Sequence, residues 1–234
     1  MSYLSDGNTE RIYKVTNTGI VPALIKHLGN PFLSILIPVL RTLGNIVTGD
    51  ENQTNLVLEN HGVIGKLFEL LNHEKKAVRR ETAWTLSNIT AGTPEQIEEV
   101  IGHSSNITFL INLAEKDAPE VKREAAWVLS NATKHGIPEQ IHKLLQAGLI
   151  PCFTNLLTEP DNKTLIVVLE GINNILDMGA KIAIETKTSN PVLEELEREG
   201  AIPRIESLQE HPNNDIYQRA LKILENHFEI EDVI

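Results

Sequence analysis

Asparagines stand at positions 45, 88, 131 and 174, so the same interval of 43 residues occurs three times in succession. Around the middle two, the flanking strings nearly coincide. ETAWTLSNITAG places Trp84 four residues before Asn88, and REAAWVLSNATKHG places Trp127 four before Asn131. A chain that repeats itself at such an interval is not built around one closed core. Each copy is a supersecondary unit that buries its apolar face only against its neighbours, and chain length sets the number of copies.

A second column keeps the same step. Gly19, Gly62, Ser105 and Gly148 are each 43 residues apart, and Gly200 follows after 52. The apolar residues that follow, such as Ile64, Leu67, Leu70 and Leu71, recur at helical spacing. Glycine is suited to ending one helix, and Pro22, Pro151 and Pro203 to opening the next. Each copy therefore predicts three helices: a short one before the glycine (55–59 in one copy), a second after it, and a longer third such as 76–90. No segment sustains a two-residue alternation, so strands are not expected.

A three-helix repeat of roughly 40–47 residues is the armadillo pattern. The expected fold is all-α, a right-handed armadillo-repeat superhelix (an α-solenoid) whose third helices line the concave face. The expected boundaries are a stub of a repeat at 1–8, four repeats over 9–180, an insertion or loop at 181–190 (the nine extra residues forming a loop or a helix extension), a final repeat at 191–230 and an acidic tail at 231–234.

Composition narrows the function. With 32 acidic and 21 basic residues the net charge is -11, which disfavours nucleic acid as a partner and suits a basic one. The single cysteine, Cys152, excludes an internal disulfide and a cysteine-rich metal site. The start, MSYLSDGNTER, lacks the basic and apolar regions of a secretory signal, and no apolar run is long enough to span a bilayer. No glycine-rich phosphate loop, zinc-spaced histidine pair or recognisable nucleophile constellation occurs. The reading is a binding protein, with no enzyme activity, cofactor or metal expected.

Residues four apart on a helix share a face, so Trp84 lies beside Asn88 and Trp127 beside Asn131. Helices pack about 8–10 Å apart, which makes successive indoles the walls of a slot. An extended peptide advances about 3.3 Å per residue with alternating side chains, so every second one can enter such slots. An asparagine amide can both donate to and accept from a peptide bond, holding a backbone without reading its sequence. Indole walls favour an aliphatic stem with a cationic tip, each contact contributing about 0.5–2 kcal/mol. Glu81 and Glu124, three residues before each tryptophan, are placed to receive the tips. Ser87 beside Asn88, and Asn174 as the fourth rung, belong to the same candidate set. One step to either side of the tryptophans, Arg41 and Glu170 replace them and bound the site. Arg41, four residues before Asn45, would either stack on an aromatic ring or repel a cationic ligand.

The strings SYLSDG, LIPVLRTLGNIVTGD, ETAWTLSNITAG, REAAWVLSNATKHG and LEGINNILDMG resemble the importin-α family, and among its members the plant-like ones. The resemblance implies a nuclear import adaptor that binds lysine- and arginine-rich nuclear localisation signals and occurs in cytoplasm and nucleus. Position by position, Trp84, Asn88, Trp127 and Asn131 resemble the family's minor-site array. Glu81 and Glu124 resemble its acidic receptors, and Arg41 and Asn45 the repeat where the array is interrupted. The region 215–228 resembles the part gripped by the export receptor. The basic importin-β-binding segment and the major-site repeats have no counterpart in these 234 residues, so the resemblance does not extend to importin-β recruitment. An uncapped N-terminal end would favour self-association. The competing class is a non-transporting scaffold that binds the export receptor or another protein through its last repeats.

Overall fold

The computed structural model describes residues 2–228. The helices are α1 (Ser2–Ser5), α2 (Thr9–Thr16), α3 (Val21–Lys26), α4 (Leu33–Ile46), α5 (Glu51–Leu58), α6 (Val63–Leu70), α7 (Lys76–Thr90) and α8 (Pro94–Ile101). They continue as α9 (Ser104–Lys116), α10 (Pro119–His135), α11 (Pro138–Gln146), α12 (Leu149–Leu156), α13 (Asn162–Thr186), α14 (Pro191–Arg198), α15 (Ala201–Ser207) and α16 (Asn214–His227). No strand occurs among the described residues. From α2 onward the helices group in threes, and the third of each group packs on the third of the next: α4 on α7, α7 on α10, α10 on α13, α13 on α16. The short α1 packs on α4 in the same way. The short first helix expected at 55–59 begins a turn earlier, as α5, because Asp50 and Gln53 close a capping box at its start.

The glycine column has a geometric cause. Gly19, Gly62, Gly148 and Gly200 all have left-handed backbone, with φ between 71° and 95°. An L side chain there costs roughly 1–2 kcal/mol, and the turn lets the second helix fold back on the first. Ser105 departs from this. It lies inside α9, which starts at Ser104 after the extended residue His103 and reaches 13 residues.

Apolar side chains along the solenoid form one buried cluster, including Leu40, Leu43, Val57, Leu67, Leu86, Ile97, Leu129, Phe153 and Ile172. Polar ties reinforce the seams between copies. Gln53, Gln96 and Gln140 each accept from a backbone N–H at the start of their own helix. Each then donates its amide to the first helix of the preceding copy: Gln53 to the Thr9 carbonyl, Gln96 to the Glu51 carbonyl and Gln140 to the Pro94 carbonyl, at 2.8–3.1 Å. At the other edge Arg79 forms a two-pronged bond with Asp117, both prongs 2.7 Å. Lys122 meets Glu159 at 2.8 Å.

The expected loop at 181–190 is mostly helix. α13 runs 25 residues to Thr186, because the stretch after Gly179 contains good helix formers and neither proline nor glycine before Pro191. Lys187 ends it in left-handed backbone. Asn190 then accepts from the N–H groups of Val192 and Leu193 to start α14, and donates to the Leu176 carbonyl at 3.1 Å. A Cβ at Gly179 would lie 2.1 Å from the Asn190 Oδ1, so glycine is what admits this tie. The acidic tail expected at 231–234 lies outside the described residues.

Gln96→Ala removes two donated bonds and the one its side chain accepts from the Thr93 N–H, in a buried setting, and leaves the Thr93 cap in place. The expected loss is about 2 kcal/mol of unfolding free energy, read from urea denaturation monitored by circular dichroism. A loss under about 0.5 kcal/mol would show that the seam does not depend on these bonds.

Candidate functional site

The third helices bring Arg41 and Asn45 (α4), Glu81, Trp84, Ser87 and Asn88 (α7), Glu124, Trp127 and Asn131 (α10) and Asn174 (α13) onto successive steps of the stack. A cleft of about 420 Å³ crosses α1, α4, α7 and α10. Its walls carry Tyr3, Asp6, Arg41, Asn45, Arg80, Glu81, Trp84, Arg123 and Glu124. Ser87 and Asn88 on α7 lie outside this cleft, as do Trp127 and Asn131 one step further along, and Asn174 lies beyond them beside a separate cleft with Lys134 and Asp177.

The asparagines first tie the repeats together. Asn88 donates its amide to the Gly44 carbonyl at 3.4 Å, Asn131 to the Ser87 carbonyl at 2.9 Å and Asn174 to the Thr133 hydroxyl at 3.2 Å. These three are half-buried, and their amide oxygens accept no hydrogen bond from the described residues. Asn45 differs from the expected open rung. It is only 8% exposed and donates to the Ser5 hydroxyl at 3.1 Å, because α1 packs over α4 there. Ser87 is also buried, and its hydroxyl donates to the Trp84 carbonyl of its own helix at 2.8 Å, so it offers no free hydroxyl to a ligand.

Trp84 and Trp127 are both half-buried, and Trp127 rests partly on the apolar core. The seat of Trp84 depends on a residue that the Trp–Asn pattern does not reveal. A Cβ at Gly44 would fall 2.2 Å from the Cζ3 atom of the indole, so the ring lies directly over that glycine. Its only sequence signal is the column of small residues, Gly44, Ser87 and Ser130, that precedes the first three asparagines.

The two glutamates stand in opposite electrostatic situations. Glu81 is not an open receptor: Arg41 Nε donates to its Oε2 at 2.5 Å, Arg41 Nη2 reaches Oε1, and Arg80 Nη2 reaches the same oxygen at 2.5 Å. Its side chain is 3% exposed. Burial would push this carboxyl up, but the bonds from Arg41 and Arg80 outweigh it and hold it below the usual glutamate range. The Arg41 guanidinium also sits over the Trp84 ring, 5.8 Å from its centroid, so of the two sequence alternatives it stacks. Glu124 is 14% exposed, and the one cation within 4 Å among the described residues is Arg123 Nε at 3.7 Å, beyond hydrogen-bond distance. Burial dominates there, and the carboxyl is raised above its usual value. Glu170, at the other limit of the tryptophan column, is held by Lys134 at 2.9 Å and Arg219 at 3.7 Å. Neither a cluster able to hold a metal ion nor a helix long and apolar enough to cross a membrane occurs among the described residues.

Helix triplets stacked through their third helices, with aromatic and amide groups at a fixed step along the stack, define an armadillo-repeat solenoid. The Armadillo/beta-catenin-like repeat matches residues 8–48, 50–91 and 93–134, and the Atypical Arm repeat matches 190–233. A designed armadillo repeat protein in complex with the peptide (KR)4 superposes with a TM-score of 0.84 at 28% identity, covering 96% of this chain and 88% of that one. Importin subunit alpha-3 of Arabidopsis thaliana is 48% identical over 227 residues, 96% of this chain and 43% of that protein. Importin subunit alpha-1b of Oryza sativa subsp. japonica is 42% identical, covering 97% of this chain and 43% of that protein. For importin subunit alpha-B of Dictyostelium discoideum the figures are 47% identity, 99% and 44%. The chain belongs to the importin-α family and corresponds to its C-terminal armadillo repeats. It spans less than half the length of these relatives.

The contrast between the glutamates predicts opposite stability effects. The folded-state pKa of Glu81 lies below its unfolded value, so its contribution is present above the unfolded value and is lost as pH falls through the folded one. Glu81→Gln is expected to destabilise the fold by about 2 kcal/mol at pH 7. Glu124 has the reverse shift: folding disfavours its ionised form, so its ionisation subtracts from stability as pH rises above the unfolded value. Glu124→Gln should therefore leave the melting temperature at pH 7 unchanged or raise it. Thermal melts of both variants from pH 4 to 8 test the pair.

Proposed function

We propose that the chain acts as a nuclear import adaptor-type protein, binding lysine- and arginine-rich nuclear localisation signals as extended peptides along its third-helix face. It would work in cytoplasm and nucleus. The observation that carries this reading is Glu124: a carboxylate kept largely out of water, with no cation in hydrogen-bond contact, in a cleft that it shares with the indole of Trp84. A buried charge without close compensation is unfavourable in the free protein and is relieved by a cation from outside. A basic side chain entering there would lay its stem along the indole and direct its tip to Glu124. The amide oxygens of Asn88 and Asn131, free of internal donors, would take peptide N–H groups. The structural likeness to a designed armadillo protein in complex with (KR)4, and the relatives named as importin alpha subunits, support the same ligand chemistry.

Titration of a labelled lysine- and arginine-rich peptide tests the reading. Trp84→Ala with Trp127→Ala is expected to weaken binding by at least about thirtyfold, two lost cation–π contacts being worth roughly 1–2 kcal/mol each where desolvated. Circular dichroism should show the helical fold retained. Affinity should also fall with added salt, as the net charge of -11 requires for a basic ligand. Undiminished affinity in the double variant would overturn the proposal.

Acidification gives a second check. Because the Glu124 carboxyl is raised, its charge is lost at a pH above that at which an ordinary glutamate protonates. Peptide affinity should start to fall at that higher pH, and Glu124→Gln should remove this component while lowering affinity at pH 7 by about tenfold, the loss of one charge-assisted contact of about 1.5 kcal/mol.

A further inference from the structure

We infer that the last copy, α14–α16, opens from the rest of the stack as one body, hinged at residues 187–190, because its seam with the fourth copy is left unstitched. The groups that close the other seams are missing here. Gln53, Gln96 and Gln140 each stand third in the first helix of their copy, but the third residue of α14 is Leu193, which has no amide to give. The asparagine ladder fails as well. Gly200 follows Gly148 after 52 residues, and the same step from Asn174 reaches Asn226 on α16. Asn226 is exposed, and its side chain forms no hydrogen bond among the described residues.

What crosses the seam instead is sparse. Arg204 on α15 donates to the Thr154 carbonyl on α12 at 2.6 Å. On the third helices, Arg219 lies 3.7 Å from Glu170 and His227 3.3 Å from Asp177, neither in hydrogen-bond geometry. The seam also strands polar groups. Among the described residues, three buried side-chain atoms lack a hydrogen-bond partner: the Thr154 hydroxyl, the Asn173 amide oxygen and His227 Nε2. They belong to α12, α13 and α16, helices on the two sides of this seam. A polar atom buried without a partner disfavours the closed arrangement and is relieved when water reaches it. A unit held in this way opens cooperatively, ahead of global unfolding.

The connection suits a hinge. After Thr186, Lys187 takes left-handed backbone (φ 57°), and 188–189 are exposed before Asn190 caps α14. A few such residues can absorb the change in backbone angles that a swing requires. Asn190 keeps its bond to the Leu176 carbonyl of α13, at 3.1 Å, and so marks the pivot. The stack then has a firmly stitched stretch, which carries the cleft, and a last copy whose angle is open to adjustment.

Hydrogen exchange of the full chain, followed by mass spectrometry, tests this. Amides of α14, α15 and α16 should share one opening, at least about tenfold more frequent than that of α8–α13 or of α2–α4. The comparison with α2–α4 excludes simple fraying, since that outer copy is stitched by Gln53 and Asn88. Equal protection of α14–α16 and α2–α4, or separate opening of the three helices, would overturn the inference. Arg204→Ala, which removes the bond to Thr154, should speed exchange in α14–α16 about tenfold and leave α8–α10 unchanged. Thr154→Val, which puts a methyl in place of the stranded hydroxyl, should slow it about threefold. An Arg204→Ala effect shared equally by α8–α10 would refute a separate body, and Thr154→Val exchange no slower than wild type would refute its stated cause. Should Arg204→Ala prove unfolded by circular dichroism, the wild-type pattern and Thr154→Val decide.

Discussion

Every copy in this chain depends on the seam with its neighbour, because three short helices bury too little apolar surface to hold together alone. The seam is closed from both edges. On one side the glutamines at 53, 96 and 140 serve at once as helix caps and as cross-links to the preceding copy. On the other, the asparagines at 88, 131 and 174 bond the third helix behind them. The spacing of the binding face follows from this arrangement. Tryptophans recur at a regular distance because the helices that carry them are locked at a regular distance.

The same groups therefore serve structure and recognition, and the two uses are divided within single side chains. An asparagine amide gives its N–H to the fold and leaves its oxygen open. The two glutamates divide the roles between them: Glu81 is neutralised by two arginines in hydrogen-bond contact, whereas the charge of Glu124 is only partly offset, by Arg123 at 3.7 Å and the more distant Arg80. A site that must attract cations has to hold some negative charge in reserve, and here the reserve lies in one of two otherwise equivalent positions. The difference traces to one residue, since the arginine that quenches Glu81 has no equivalent opposite Glu124: 43 residues after Arg41 stands Trp84.

Much of this was legible before any coordinates. The 43-residue period carried the helix triplets, the left-handed glycines and the shared face of tryptophans and asparagines, because each is a local consequence of repeated residue types. What escaped the sequence was set by distance across the seam. The engagement of Glu81 depends on Arg41, 40 residues away. The place of Trp84 depends on a missing side chain at Gly44, which looks like any other helical glycine in the sequence. Asn45 keeps the 43-residue step of the other rungs but is covered by α1, a matter of which helix packs there. The glutamine cross-links were hidden for a similar reason: a capping box is visible in one repeat, but its second partner lies in another.

The cross-links described above reach only from one copy to the next. Among the described residues no such bond ties the first step of the face directly to the fourth, so tolerances add in series, as in a stack of loosely gauged washers. A small tilt at each seam shifts the far rungs more than the near ones. A stiff, long ligand would have to match the accumulated error, whereas a short or pliant one need only match a single gap. The construction thus favours recognition by brief local clusters of side chains, separated by slack chain, over continuous reading of a long rigid partner.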